Sequence, residues 1–313
     1  MIKALKQEVE KHADRVQVVA AARLLDVKEE LQNWLSSSGL SQTQQEQIFE
    51  LYDFNLPSLP FSINSIVLVA CPFPAYAEVE FLWQGKQYNL QSIVTADLAG
   101  SDKYLKAFAQ EHKFNLKTAA NLPVKRLAVG SGLAEYGKNN ITYIEGMGSF
   151  FYYLIYFSDL VPDDDFWRPV THAKRCSHCL ICFKKCVTGA IKKDEFLLDT
   201  GRCLCTLNES PEEFPSWLSP AVHHLIYDCL KCQLPCPMNR DFIHNVAGPI
   251  KFTESETAQI LNAAPLASLP PELYKKVDYL GFSWWWEAIP RNLKMMFELE
   301  DSGQNKQVIQ LPN

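Results

Sequence analysis

Nine of the ten cysteines in this 313-residue chain fall between Cys176 and Cys236, and the tenth, Cys71, stands alone. A secreted, disulfide-stapled domain spreads its cysteines along the chain and needs export. The N-terminus, MIKALKQEVEKHADRVQVVAAARLLDV, carries charges throughout. It has no twin-arginine pair, and no continuous apolar stretch of the ~7–15 residues that a secretory signal needs comes before Gly39. No apolar run reaches the ~18 residues of a membrane span. A cytoplasmic protein with no membrane partner is expected, and in a reducing compartment clustered cysteines point to metal.

The spacing narrows the metal. Cys176, Cys179, Cys182 and Cys186 spell C-x2-C-x2-C-x3-C, the run with which bacterial ferredoxins hold 4Fe–4S clusters. Two-residue gaps let three thiolates of one tight loop reach three corners of a cube, while the fourth lies beyond that loop and serves a second cluster. Cys229, Cys232 and Cys236, in C-x2-C-x3-C-P, supply the reciprocal set, and Cys203 lies between the two groups. The expected assignment is Cys176, Cys179, Cys182 and Cys236 on one cluster, and Cys186, Cys203, Cys229 and Cys232 on the other. Cys205 is the spare and an alternative to Cys203. Val187 stands where a ferredoxin has Pro, a residue that shapes the turn and is not a ligand. The competing reading is zinc, which uses paired C-x2-C knuckles but has no use for the longer run. Cys71, in the apolar run SIVLVACPF, reads as a buried strand residue.

Around this framework the rest is ordinary globular sequence, 47% hydrophobic and 21% charged. Residues 3–36 read as one or two amphipathic helices, with Leu5, Val9, Val16, Val19, Leu24, Leu25 and Leu31 at helical spacing. A helix from Ser41, its N-cap, to Tyr52 follows, then a strand over Ile66–Ala70 and a hairpin over residues 78–89 turning at Gln84-Gly85. Residues 97–114 and 123–134 read as helices, and 141–144 and 150–157 as strands joined through Gly146 and Gly148. The acidic run 163–165 reads as a solvated loop. Thr253 caps a helix over 254–263, and Trp284-Trp285-Trp286 reads as core or interdomain packing, against the alternative of a cofactor stack. The expected domains are an α/β unit over 1–167, a cysteine module over 168–245, a helical segment over 246–300 and a loose tail over 301–313.

Several segments together resemble the epoxyqueuosine reductases, cobalamin-dependent iron–sulfur enzymes of tRNA queuosine synthesis, and the related reductive dehalogenases. Thr188-Gly189-Ala190-Ile191 follows the first cysteine group as in that family's C-P-T-G-A-I. Arg202-Cys203 is similar to its lone middle cysteine. Tyr227-Asp228-Cys229-Leu230-Lys231-Cys232-Gln233 and Cys236-Pro237-Met238-Asn239 resemble its closing stretch. Upstream, Leu127-Ala128, Gly132-Leu133, Gly137-Lys138-Asn139 and Gly148-Ser149-Phe150 resemble its glycine segment, and Pro290-Arg291-Asn292 its R-N pair.

The resemblance implies an α/β (α+β) fold: a nitroreductase-like cobalamin-binding domain, then a ferredoxin-like double-cluster module and a short helical C-terminal segment. It implies an oxidoreductase with two 4Fe–4S clusters and cobalamin, fed by a flavodoxin- or ferredoxin-type donor. Gly137, Lys138, Asn139, Tyr143 and Ser149 are the expected cofactor-binding residues, against the alternative of turn glycines and solvated or packing side chains. Tyr136, Tyr152, Tyr153 and Tyr156 are further candidates to stack on a corrin or donate a proton. His172, His178, His223 and His224 are expected near the clusters but not as ligands.

Two departures shape the substrate expectation. Where the family has a proton-donating Asp, this chain has Lys117-Thr118-Ala119, and a hydroxyl cannot protonate an alkoxide as a carboxylic acid can. The sequence also stops at Asn313, before a helical-repeat domain for tRNA. With a net charge of −6, these features lead to a small-molecule substrate and to setting tRNA aside. The rival expectation is an electron carrier, or a reductive activator of a separate corrinoid protein, with no corrin of its own.

Overall fold

The structure is a computed structural model that describes residues 1–303 apart from Gly39, Glu195 and Leu197. Helix α1 (Ile2–Lys11) buries Ile2, Leu5 and Val9 along one face. The chain then turns at Ala13, in the left-handed region at φ 63°, into strand β1 (Arg15–Ala20). Helices α2 (Arg23–Ser37) and α3 (Gln42–Glu50) follow, the latter opened by a capping box between Ser41 and Gln44. The helical expectation over 3–36 thus breaks at its middle. Val16, Val18 and Val19 are β-branched, and a partner strand gives them a pleated surface to pack on.

That partner is β2 (Ser65–Pro72), followed by the hairpin β3 (Tyr76–Trp83) and β4 (Lys86–Ser92), helix α4 (Leu98–His112), strand β5 (Leu116–Thr118) and helix α5 (Val124–Gly130). Short strands β6 (Glu135–Tyr136) and β7 (Thr142–Tyr143) pair with each other, and β8 (Phe151–Ser158) closes this part. The main sheet runs β1-β2-β8-β5, antiparallel throughout. Strand β2 is buried on both faces. Val67, Val69 and Cys71 pack toward α1 and α4, while Ile66, Leu68 and Ala70 pack toward α2 and α5. Cys71 is therefore the buried strand residue its context implied.

The cysteine region carries helices α6 (Ile181–Lys185) and α7 (Leu204–Glu209) among turns. Strand β9 (Val246–Phe252) then leads to α8 (Glu254–Leu261), α9 (Pro271–Tyr279) and α10 (Ile289–Asp301). The segment expected to be helical opens with a strand. β9 adds parallel to β3 as an edge of the sheet β4-β3-β9, a place where Pro249 costs no ladder bond. Helices α8, α9 and α10 cover that sheet in one core shared with Leu225–Tyr227 and Leu230 of the cysteine region. Trp285 and Trp286 pack on this core, and the Trp286 indole donates to the Ala264 carbonyl at 3.0 Å. Asp301, expected in a loose tail, ends α10 and pairs with Lys86 and Tyr88; the tail from residue 304 lies outside the described residues. The fold is a mixed α/β arrangement with several sheets. Among the described residues no helix is long and apolar enough to cross a membrane.

Candidate metal centre and adjoining cavity

Short turns present the first set of sulfurs. Cys176 ends a 3₁₀ turn, Cys182 lies in α6, and Cys236 precedes the turn Pro237–Asn239. Cys176, Cys179, Cys182 and Cys236 line one cavity, although they come from two separated stretches of chain. Gly137, Lys138, Asn139 and Tyr143 complete its wall. Burial raises the Cys236 thiol, opposed by hydrogen bonds from the Tyr143 hydroxyl and the Met238 and Asn239 backbone; the Lys138 backbone opposes burial in the same way at Cys176. Donors aimed at sulfur favour thiolate, the form that binds metal. A Cβ on Gly137 would lie 2.5 Å from both Asn139 Oδ1 and Tyr143 Cε2, so a bare backbone is required there. All ten cysteines are free, none in a disulfide.

In the second group, Cys186, Cys203, Cys229 and Cys232 act on one another electrostatically. Burial pushes the Cys229 thiol up to about 12, and negative charge on Asp228, Cys203 and Cys186 acts in the same direction. Cys232 is likewise raised by burial, with Cys229 and Cys203 adding to it. Cys203 is held down at about 6, first by the Cys205 thiol beside it. Cys205 also reaches Glu209 Oε1 at 3.3 Å and shares with Glu209 and Asp228 a group whose ligand atoms lie within 4.8 Å of one another. Cys203 thus neighbours the other sulfurs, while Cys205 faces carboxylates. A donor set of eight thiols in two groups of four fits two cubanes.

A larger cavity of about 390 Å³ adjoins this region. Phe73, Val124, Ile141, Phe151 and Leu230 supply apolar wall, and Lys125, Thr142, Ser149, Tyr152, Tyr153, Asp228 and Gln233 supply polar groups. Buried Asn239 ties its rim to the Cys236 turn: its Oδ1 accepts from the Ser149 backbone at 2.9 Å and its Nδ2 donates to Ser149 Oγ at 2.8 Å. Ser149 Oγ in turn donates to Gln233 at 2.8 Å. Gly148, at φ 71°, leaves room for this contact, since a Cβ there would lie 2.6 Å from Asn239 Oδ1. Apolar walls with a few hydrogen-bonding groups are what a small-molecule or cofactor site presents.

Of the five expected cofactor residues, Gly137, Lys138, Asn139 and Tyr143 line the first cysteine cavity, and Ser149 lines the larger one. Tyr152 and Tyr153 also reach the larger cavity, whereas Tyr156 is buried in the core and donates to Asp102 at 2.9 Å. Tyr136 packs in the core against Phe196. His178 is exposed, but His223 and His224 are buried, and His224 Nε2 bonds the Cys229 carbonyl. Lys125, Thr142, Asp228 and Gln233 were not singled out as site residues. Only the latter two lie in a stretch with a recognisable motif. Thr118 is exposed at the end of β5, opposite Tyr156, and is not among the residues lining the larger cavity.

No family model matches the chain. Among curated relatives, the epoxyqueuosine reductase of Francisella cf. novicida is 28% identical over 169 residues, 52% of this chain and 44% of that protein. The epoxyqueuosine reductase of Escherichia coli is 32% identical over 145 residues, 44% of this chain and 37% of that protein. The chain thus spans less than half the length of these relatives. Among solved structures, epoxyqueuosine reductase from Streptococcus thermophilus superposes with a TM-score of 0.62 at 16% identity, covering 96% of this chain and 86% of that one. An epoxyqueuosine reductase holding an epoxyqueuosine-modified tRNA stem loop superposes with a TM-score of 0.60 at 18% identity, covering 95% of this chain and 82% of that one.

The last structure corrects one expectation. tRNA was set aside on Thr118 in place of a carboxylate, on the stop at Asn313 and on net charge, yet a fold that covers nearly all of this chain carries a tRNA stem loop in its relative. Whole-chain charge says nothing about any one face. In sequence over about half its length and in fold over nearly all of it, this chain resembles the epoxyqueuosine reductases.

Proposed function

We propose that the chain is a cytosolic iron–sulfur oxidoreductase that takes electrons through two 4Fe–4S clusters to a corrinoid and reduces an epoxide-type nucleoside carried on tRNA. The observation that carries this reading is the convergence of Cys176, Cys179, Cys182 and Cys236 on one cavity, with Asp228, Leu230 and Gln233, which flank Cys229 and Cys232 in sequence, lining the larger one. Residues 1–167 would form the nitroreductase-like corrinoid and substrate unit, and 168–245 the ferredoxin-like module. When bound, the clusters supply one-electron steps and the corrinoid a strongly reducing cobalt.

The chain's own groups then have defined work. Cys176, Cys179, Cys182 and Cys236 would hold the first cluster, with Tyr143 and backbone N–H groups bonding sulfur. Cys186, Cys203, Cys229 and Cys232 would hold the second. Phe73, Val124 and Phe151 would exclude water from the larger cavity, and Ser149, Gln233 and Thr142 would fix a ring by its amides. Lys125, whose amine lies 3.3 Å from the Asn140 carbonyl, is the cationic group at that cavity. The family's proton-donating carboxylate has no counterpart at Thr118, which is exposed and does not line the larger cavity, and this one observation favours the second reading: an electron carrier or activator with no corrin of its own.

The test is titration of reconstituted, anaerobic protein with cobalamin, followed by turnover of an epoxyqueuosine-bearing stem loop. A perturbed corrin absorbance at one equivalent, with turnover, supports the reading. Intact clusters without corrin affinity move it to the carrier.

A further inference from the structure

The net charge of −6 conceals a strong local asymmetry. From Phe166 to Lys193 the chain carries Arg168, Lys174, Arg175, Lys184, Lys185, Lys192 and Lys193, and no Asp or Glu. Lys174, Arg175, Lys184, Lys185 and Lys193 are exposed. Only Lys192 and Arg168 of this set approach a described carboxylate, Asp199 at 3.7 Å and Glu135 at 4.0 Å. Lys138, His172 and Lys174 line an open cavity of about 310 Å³ whose wall includes Cys176, with Asp194 its one described carboxylate. The positive charge is therefore gathered at the first cysteine group. Val170 and Val187 are exposed within the same stretch. Apolar groups among like charges are what a transient protein interface presents.

We propose that this basic collar is the docking face for an acidic one-electron carrier protein. The proposal rests on the iron–sulfur reading above and names the partner of its first cluster. Unpaired cations of one sign attract a negative surface and speed its encounter. Their position beside Cys176 brings such a partner next to the first cluster. One electron leaves the carrier's reduced flavin or iron–sulfur centre and enters that cluster; no bond forms or breaks. RNA is the other polyanion to consider, but the larger cavity, where a nucleoside would react, shares no lining residue with the collar cavity. A collar set at the sulfurs serves electron delivery.

The test is calorimetric binding of flavodoxin to the whole protein. The triple charge reversal Lys174→Glu, Arg175→Glu, Lys184→Glu should weaken Kd about tenfold or more at low salt, and wild-type affinity should fall as salt rises. Unchanged Kd in the variant, or wild-type binding indifferent to salt, overturns the proposal. Should the same variant then lose affinity for an anticodon stem loop, the face belongs to nucleic acid. The milder pair Lys174→Gln, Lys184→Gln carries the test if reversal disturbs folding. Failure of the underlying reading shows separately, as wild-type protein without iron.

Discussion

The Tyr143 hydroxyl hydrogen-bonds the Cys236 sulfur while accepting from Asn139 Nδ2 at 2.9 Å. A residue of the α/β part thus touches a sulfur supplied by the end of the cysteine region. Hydrogen bonds to ligating sulfur stabilise the extra electron of a reduced cluster. Tyr143→Phe should keep full iron and lower the potential of one cluster by on the order of tens of millivolts. Redox titration followed by electron paramagnetic resonance reads this, and an unchanged potential would deny Tyr143 that role.

The two groups of sulfurs make separate claims about iron. Cys182→Ala or Cys232→Ala should remove about four irons per chain, one cubane's worth. Cys205→Ala should spare both clusters, because Cys205 faces Glu209 and Asp228. Metal analysis decides between them. Loss of four irons from the Cys205 variant would make it, and not Cys203, the ligand.

Much of this was legible in the sequence. The cysteine spacing defines its own chemistry, and Ser41 and Thr253 cap the helices they precede. What escaped was settled by partners distant in sequence. Val16–Val19 becomes a strand because β2 lies beside it, and 246–252 because β3 has an open edge. Gly137, Lys138, Asn139 and Tyr143 share a motif, but only the folded chain places Cys236 against them. Lys125 carries no local signal at all, since its role depends on the cavity it lines.

Arg126 is buried and grips Glu30 with two nitrogens, at 2.6 and 2.8 Å, while lying 4.5 Å from the Trp167 ring and donating to the Arg168 carbonyl. It fastens the segment leading into the cysteine region onto α2 and α5. Glu30 is partly exposed, which tempers its worth. Glu30→Gln should cost about 1–2 kcal/mol, read as a lower melting temperature with iron content unchanged.

His223 is buried, and desolvation, with His224 and Arg291 nearby, lowers its pKa from 6.5 to about 4. The fold keeps it neutral where the unfolded chain takes a proton. Stability from this group is complete above pH 6.5 and is lost as pH falls from there toward 4. His223→Phe should narrow the gap in melting temperature between pH 7 and pH 5; an equal or wider gap would show that His223 does not supply it.

Iron, acid-labile sulfide and zinc counted together in anaerobically purified protein test the central claim most directly. Two cubanes held by eight thiolates predict about eight irons and eight sulfides per chain, with no zinc. Stoichiometric zinc, or iron near four with the remaining cysteines alkylatable in the native protein, would contradict it.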